Sequence, residues 1–304
     1  MKSTPELLKV PFDEIYLPSM GLFYSGATKF VKVRAITGYD EIVMSSPYLK
    51  QTGSAIKILL NNVVMDSDIE YDDLLICDRD AILLFLRSVT YGDEIEMDFT
   101  CPECSNESKG SFKISNIEAK EISVPPNENG EYEYILPSSL NKETLVQINF
   151  TPPRVSSSEL VKEKNLLNRY MSQITSINDN KDKKFIFNFI KKIPIKDSQS
   201  LRTFMDKVEP GFEETVMHTC PSCSKEIKDI IKIDENFLSL PDDHRNSVNE
   251  ECFLAYYYGK GISRNEAYEM TVIDRRWTVN RISEEIEKKN KAEQDAANKS
   301  KNKR

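Results

Sequence analysis

Thr100-Cys101-Pro102-Glu103-Cys104-Ser105 returns far down the chain as Thr219-Cys220-Pro221-Ser222-Cys223-Ser224. Each copy is a Cys-Pro-x-Cys knuckle set between extended, alternating segments. Ile95, Met97 and Phe99 lead into the first, and Phe112, Ile114 and Ile117 lead out. Val216 leads into the second, and Ile227, Ile230, Ile231 and Ile233 lead out. Alternation with a period of two marks half-buried strands, so the pattern predicts two β-hairpins with a cysteine pair at each tip. Two residues between cysteines let one tight turn aim both sulfurs at one ion, and Zn²⁺ takes four thiolates tetrahedrally. Cys101, Cys104, Cys220 and Cys223 are therefore the candidate ligands of a structural zinc ion in a zinc-ribbon-like site. The competing readings are a redox Cys-x-x-Cys and two disulfides. A redox motif occurs once, at a strand-to-helix junction, whereas both knuckles here lie between strands. The span from Cys104 to Cys220 far exceeds usual ribbon spacing. It demands an inserted segment whose ends return to one place.

The chain has 304 residues, of which 39% are hydrophobic and 30% charged, with a net charge of -8. This is room for about two folded units with a polar surface. Binding a nucleic-acid duplex normally needs a basic face, so the acidic balance argues against nucleic acid as the main partner. The longest apolar run, Ala81-Ile82-Leu83-Leu84-Phe85-Leu86, is too short to span a bilayer, and no membrane partner is expected. Glu6, Asp13 and Glu14 near the start, without an apolar run, speak against a secretory signal. Six cysteines, four of them in knuckles, suit a reducing compartment. Cys77 and Cys252 read as small buried side chains.

Outward from the knuckles, the pattern divides the chain into five parts. Residues 1–117 form an N-terminal α+β region with the first knuckle. Tyr16 to Tyr24 holds Pro18 and Gly21 in a turn signal, and Phe30, Val33 and Ile36 suggest a strand. Short helices follow at 38–44 and 54–62, then a long one from Tyr71 to Val89 with Asp72 and Asp73 in its first turn. The acidic run from Asp66 to Asp73 lacks the glycine of a calcium loop and reads as helix-capping acid. Residues 118–212 are the insertion, strands first and helices second. Strands are expected at 122–124, 132–136 and 146–150. Helices are expected after the serines 156–158, carrying Leu160 to Ile174, then at 185–190 and 198–208. Residues 213–240 form the second knuckle hairpin. Residues 241–290 are C-terminal helices, with Ser263 and Glu266 as a capping box. Residues 291–304 hold almost nothing apolar and are expected to be a disordered charged tail. The fold class is α+β.

Several chemistries are missing. A closed Cys₄ site offers no open position for water activation, so a metalloenzyme reading lacks its site. No Gly-rich phosphate cradle and no Gly-x-Ser-x-Gly elbow occur, and no small-molecule substrate is implied. His218 reads as an exposed strand residue and His244 as loop surface. Arg275, Arg276 and Trp277 are candidate partner-binding residues, beside the plainer reading that Trp277 anchors the last helix.

Leu17-Pro18-Ser19-x-Gly21-x-x-Tyr24, Val31 to Thr37, Asp40-Glu41 and the helix of Asp73 to Val89 with Tyr91-Gly92 resemble the baseplate hub family of T-even-type contractile-tail bacteriophages. The second knuckle and the ending Tyr257-Tyr258-Gly259-Lys260-Gly261, Met270 and Arg275-Arg276-Trp277 are similar to the same family. The resemblance is weakest over 118–155. It implies a virion assembly role without catalysis, as a central-hub subunit or a hub-building factor, with other baseplate or tail subunits as partners. The implied location is the host cytoplasm during assembly and the virion tail baseplate. It carries the knuckle cysteines over as Cys101, Cys104, Cys220 and Cys223. The sequence departs from common zinc knuckles in placing Ser, not Gly, after each second cysteine. The rivals are a transient tail assembly chaperone, marked by the charged tail and the Arg275-Arg276-Trp277 helix, and a zinc-ribbon transcription or replication factor.

Overall fold

In the computed structural model the described residues are 12–301 apart from 25, 27–28, 66–68, 141–144, 158–164, 214, 232, 234–236, 239 and 242. The start of the acidic 66–73 run, the serine cap at 158 with its helix start, and the residues before 12 lie outside them.

The N-terminal region is a small antiparallel sheet, β1 (Phe12–Tyr16), β2 (Phe30–Arg34) and β3 (Val64–Met65), in that order. Val31 and Val33 alternate inward and are buried, while Phe12, Tyr16 and Phe30 stay exposed on the other face. Helices α1 (Gly38–Met44), α2 (Pro47–Gln51) and α3 (Ser54–Val63) connect β2 to β3. Helix α4 (Ile76–Tyr91) runs through the core, with Ile82, Leu83 and Leu86 fully buried.

The sequence suggested one helix from Tyr71. Instead a 3₁₀ turn at Tyr71–Asp73 precedes extended Leu74 and Leu75, and α4 starts only at Ile76. Tertiary pairing is the reason. Val155 N–H donates to the Leu74 carbonyl at 2.8 Å and Ile76 N–H to Pro153 at 3.0 Å, and these bonds require an extended backbone. The Leu-Pro-Ser-x-Gly turn docks on α4. Ser19 N–H donates to Asp78 at 3.0 Å, Tyr24 O–H to Asp78 at 2.6 Å, and Leu75 N–H to the Tyr24 oxygen at 2.8 Å. Met20 and Gly21 take positive φ of 54° and 73° to make the turn. Burial pushes the Asp78 carboxyl above its usual range, against the pull of these donors.

The first hairpin is β4 (Glu94–Thr100) with β5 (Glu107–Lys113), paired from Glu94↔Lys113 to Thr100↔Glu107. The segment after it carries its own core. An antiparallel sheet of β6 (Tyr132–Ile135), β7 (Gln147–Phe150) and β8 (Ile174–Ile177) packs on α5 (Leu166–Gln173), α6 (Lys183–Ile190) and α7 (Ile195–Val208). Tyr132, Ile148, Phe150, Tyr170, Leu201 and Met205 fill it, joined by Phe23 and Leu75 from the N-terminal region. Two expectations fail here. Residues 122–124 form no strand, because Pro125 and Pro126 lack the N–H a ladder needs. Ile174 sits in β8, not on a helix, since Ile174-Thr175-Ser176-Ile177 is rich in β-branched residues that suit a pleat.

The second hairpin is β9 (Thr215–Thr219) with β10 (Glu226–Ile230). Ile231 and Ile233 leave it to enter the main core. Helices α8 (His244–Tyr258), α9 (Arg264–Glu269) and α10 (Val272–Lys301) end the chain. The capping box of α9 forms, with Glu266 N–H donating to Ser263 Oγ at 3.2 Å and Ser263 N–H to Glu266 at 2.7 Å. The tail expected to be disordered beyond 290 is helical to Lys301. Its polar composition denies it a packing face, yet Ala, Lys, Glu and Gln are strong helix formers. Pairs such as Arg281–Glu285 at 2.5 Å lie at i,i+4 spacing.

Candidate metal centre

The two knuckles are near copies of one turn. In the first, Ser105 N–H donates to the Cys101 carbonyl at 2.9 Å and Cys101 N–H to Asn106 at 3.0 Å. In the second, Ser224 N–H donates to Cys220 at 2.9 Å and Cys220 N–H to Lys225 at 2.8 Å. Ser105 and Ser224, where glycine was the expected residue, both enter the left-handed region at φ 56° and 59°. The turn therefore keeps its tightness without glycine, at the cost L side chains meet there.

The hairpins bring all four cysteines together. Their sulfurs lie within 4.8 Å of one another. Cys101 Sγ is 3.6 Å from Cys223 Sγ, and Cys104 Sγ is 3.7 Å from Cys220 Sγ. Disulfide sulfurs stand ~2.05 Å apart, so these are free thiols. A tetrahedral ion with bonds of ~2.3 Å spaces its sulfurs ~3.8 Å apart, close to these two separations. The donor set is all thiolate, which suits a borderline-soft or soft ion. The four residues could hold a metal ion.

Cys101 and Cys220 are buried and Cys104 and Cys223 exposed, one of each per knuckle. Beneath the sulfurs Phe99, Cys101, Cys220 and Ile227 form a satellite core. The Cys104 N–H, then that of Glu103, aims at the Cys101 sulfur and holds its thiol below the ordinary value. The Cys223 and Ser222 N–H groups do the same for Cys220, to about 7. For Cys223 the Lys225 N–H pulls down, but the Cys104 and Cys101 sulfurs outweigh it and push the thiol up to about 12. Four sulfurs this close resist full ionisation without a cation between them.

Residues just beyond the hairpins tie the insertion's two ends together. Lys120 N–H donates to the Gly211 carbonyl at 2.8 Å and Glu213 N–H to Glu118 at 2.9 Å, around a bridge between Ala119 and Phe212. His218 is not an exposed strand residue. Its ring stacks on Phe99 of the first hairpin at 4.4 Å, and its Nε2 meets Ser108 Oγ at 3.0 Å. Gly110 makes room for it, since a Cβ there would lie 2.6 Å from the ring. His218 thus joins the hairpins by packing rather than as a ligand.

Arg275, Arg276 and Trp277 do not form one surface. Successive helical residues point about 100° apart. Arg275 is fully buried, Arg276 half-exposed, and Trp277 67% exposed. Arg275 joins buried Glu41 and donates to Glu251 at 2.8 Å. His244, expected on a loop surface, also meets Glu41, at 2.9 Å, and Tyr91 O–H donates to it at 3.0 Å. This network fastens the C-terminal helices to α1. Glu41, Tyr91, His244 and Arg275 each stood out in the sequence, but nothing there joined them.

The sequence model of a family described as T4 bacteriophage base plate protein matches residues 24–238. No curated protein and no solved structure matches the chain.

Proposed function

The chain belongs to the T4 bacteriophage base plate protein family, and on that footing we propose that it is a non-catalytic subunit of the baseplate's central hub, clasped by a structural zinc ion. As a baseplate protein it works against other tail and baseplate proteins. The observation that carries the clasp is the meeting of four thiols from two hairpins at the base of one inserted segment. Zinc, when bound, supplies a redox-inert tetrahedral cross-link. The knuckle N–H groups of Cys104 and Cys223 favour the thiolates it needs. The satellite core of Phe99 and Ile227 orients them. A closed four-thiolate shell leaves no position for substrate, which supports a structural reading.

Two measurements test this. Metal analysis of the purified protein should find one zinc per chain, lost in a Cys101→Ser, Cys220→Ser double variant; iron, or zinc retained in that variant, would refute the zinc clasp. Mass spectrometry of purified virions should find the chain at the stoichiometric level of a hub subunit. Its presence only in lysate complexes with tail proteins would instead make it an assembly chaperone.

A further inference from the structure

Away from the hairpins, the inserted segment ends in the turn between α6 and α7. Ile195 stands 77% exposed there, more than any other large apolar side chain of the described residues. Lys191, Lys192 and Lys196 are exposed beside it in the chain. The neighbouring acid, buried Asp197, is turned to local work, accepting from Ser138 N–H at 3.1 Å. The tip is therefore a basic surface with an aliphatic knob, in a chain of net charge -8.

The other end of α7 shows the opposite character. A recess of about 390 Å³ opens there, its lining including the apolar Pro152, Pro153 and Phe212 and the acids Asp80, Asp206, Glu209 and Glu213. Arg169, paired with Asp206 at 2.6 Å and Glu209 at 3.1 Å, and Lys120 offset part of that charge. Helix α7 is 14 residues long, roughly 20 Å at ~1.5 Å per residue, so the tip cannot reach the recess of its own chain.

We propose that the Ile195 tip of one copy seats in the acidic recess of a second copy. Knob and recess are different surfaces, so the contact is head-to-tail and propagates into a ring or a filament. An aliphatic knob flanked by lysines selects a protein recess over nucleic acid, which offers phosphate and base edges but no apolar pocket. Charge complementarity steers the encounter, and salt weakens it.

The test is sedimentation velocity of the full, metal-loaded chain over a range of concentrations, in low and high salt. Low salt should show concentration-dependent association that high salt weakens. Ile195→Asp should weaken it about tenfold or more, the loss expected of a central anchor. Lys192→Glu with Lys196→Glu (tip reversed) and Glu213→Lys (recess reversed) should each associate poorly alone. Mixed together they should associate again, because the unaltered tip of the Glu213→Lys chain then meets the unaltered recess of the other, and the two reversed surfaces also face each other. Unchanged circular dichroism and melting should accompany these exposed substitutions. A monomer at every concentration in low salt, association indifferent to Ile195→Asp, or a mixture that fails to recover would each overturn the proposal.

Discussion

Stripping the metal should loosen the hairpins and leave the rest of the fold standing. The main core and the core of the inserted segment exclude all four knuckle cysteines. The neck bonds between Lys120 and Gly211 and between Glu213 and Glu118 do not involve them either. What a bound metal would secure is the satellite cluster, in which Phe99 and Ile227 are the buried apolar side chains. At ~2 kcal/mol for each, its release costs about 4 kcal/mol. For a chain of this size ~2 °C follows each kcal/mol, so melting in chelator should fall by about 8 °C. Hydrogen exchange should quicken over 94–113 and 215–230 and stay slow over 132–135 and 147–150. Cys104→Ser and Cys223→Ser should each reproduce the fall, and the double variant should add little, because a four-ligand site acts as a unit. Unchanged melting after complete metal release would refute the clasp. Collapse of the inserted segment along with the hairpins would refute the claim that the clasp is local.

Three further outcomes follow from packing and charge. Gly110→Ala sets a Cβ 2.6 Å from the His218 ring and 2.8 Å from Phe99; overpacking of this kind costs about 1–3 kcal/mol, to be read from denaturant unfolding. Glu41→Gln removes the buried charge facing Arg275 and His244, and breaking such a pair costs roughly 3–5 kcal/mol, with α8 and α10 exchanging first by hydrogen exchange. Burial raises the Glu209 carboxyl above its usual range, against the pull of Arg169. An acid whose folded pKa is raised binds its proton more tightly in the folded state, so its contribution to stability falls as pH rises from the unfolded value of ~4.3 through the raised one. Glu209→Gln should flatten that part of the stability profile, and an unchanged slope would show that Glu209 keeps an ordinary pKa.

The cysteine cluster could be read from the sequence because its chemistry is local twice over. Each Cys-Pro-x-Cys fixes its own turn, and alternating residues fix the strands on either side, so the four cysteines were nameable before any contact was known. What needed the third dimension was everything set by pairing across the chain. Leu74 and Leu75 look helical until Pro153 and Val155 claim their backbone. His218 looks exposed until Phe99 of the other hairpin covers it, and the only hint was Gly110, a residue without a side chain in a strand. Arg275 looked like part of a partner-binding element with Arg276 and Trp277, but helical geometry sends it inward to Glu41, more than two hundred positions away. The same division explains the inserted segment. Composition announced strands and then helices, but only the bridge between Ala119 and Phe212 reveals why so long a span is tolerated between the two knuckles. Once backbone bonds have closed that neck, the hairpins beyond it start near each other. A bound metal would then have only to fasten two tips, not to close the whole loop, which is why its removal should be felt locally.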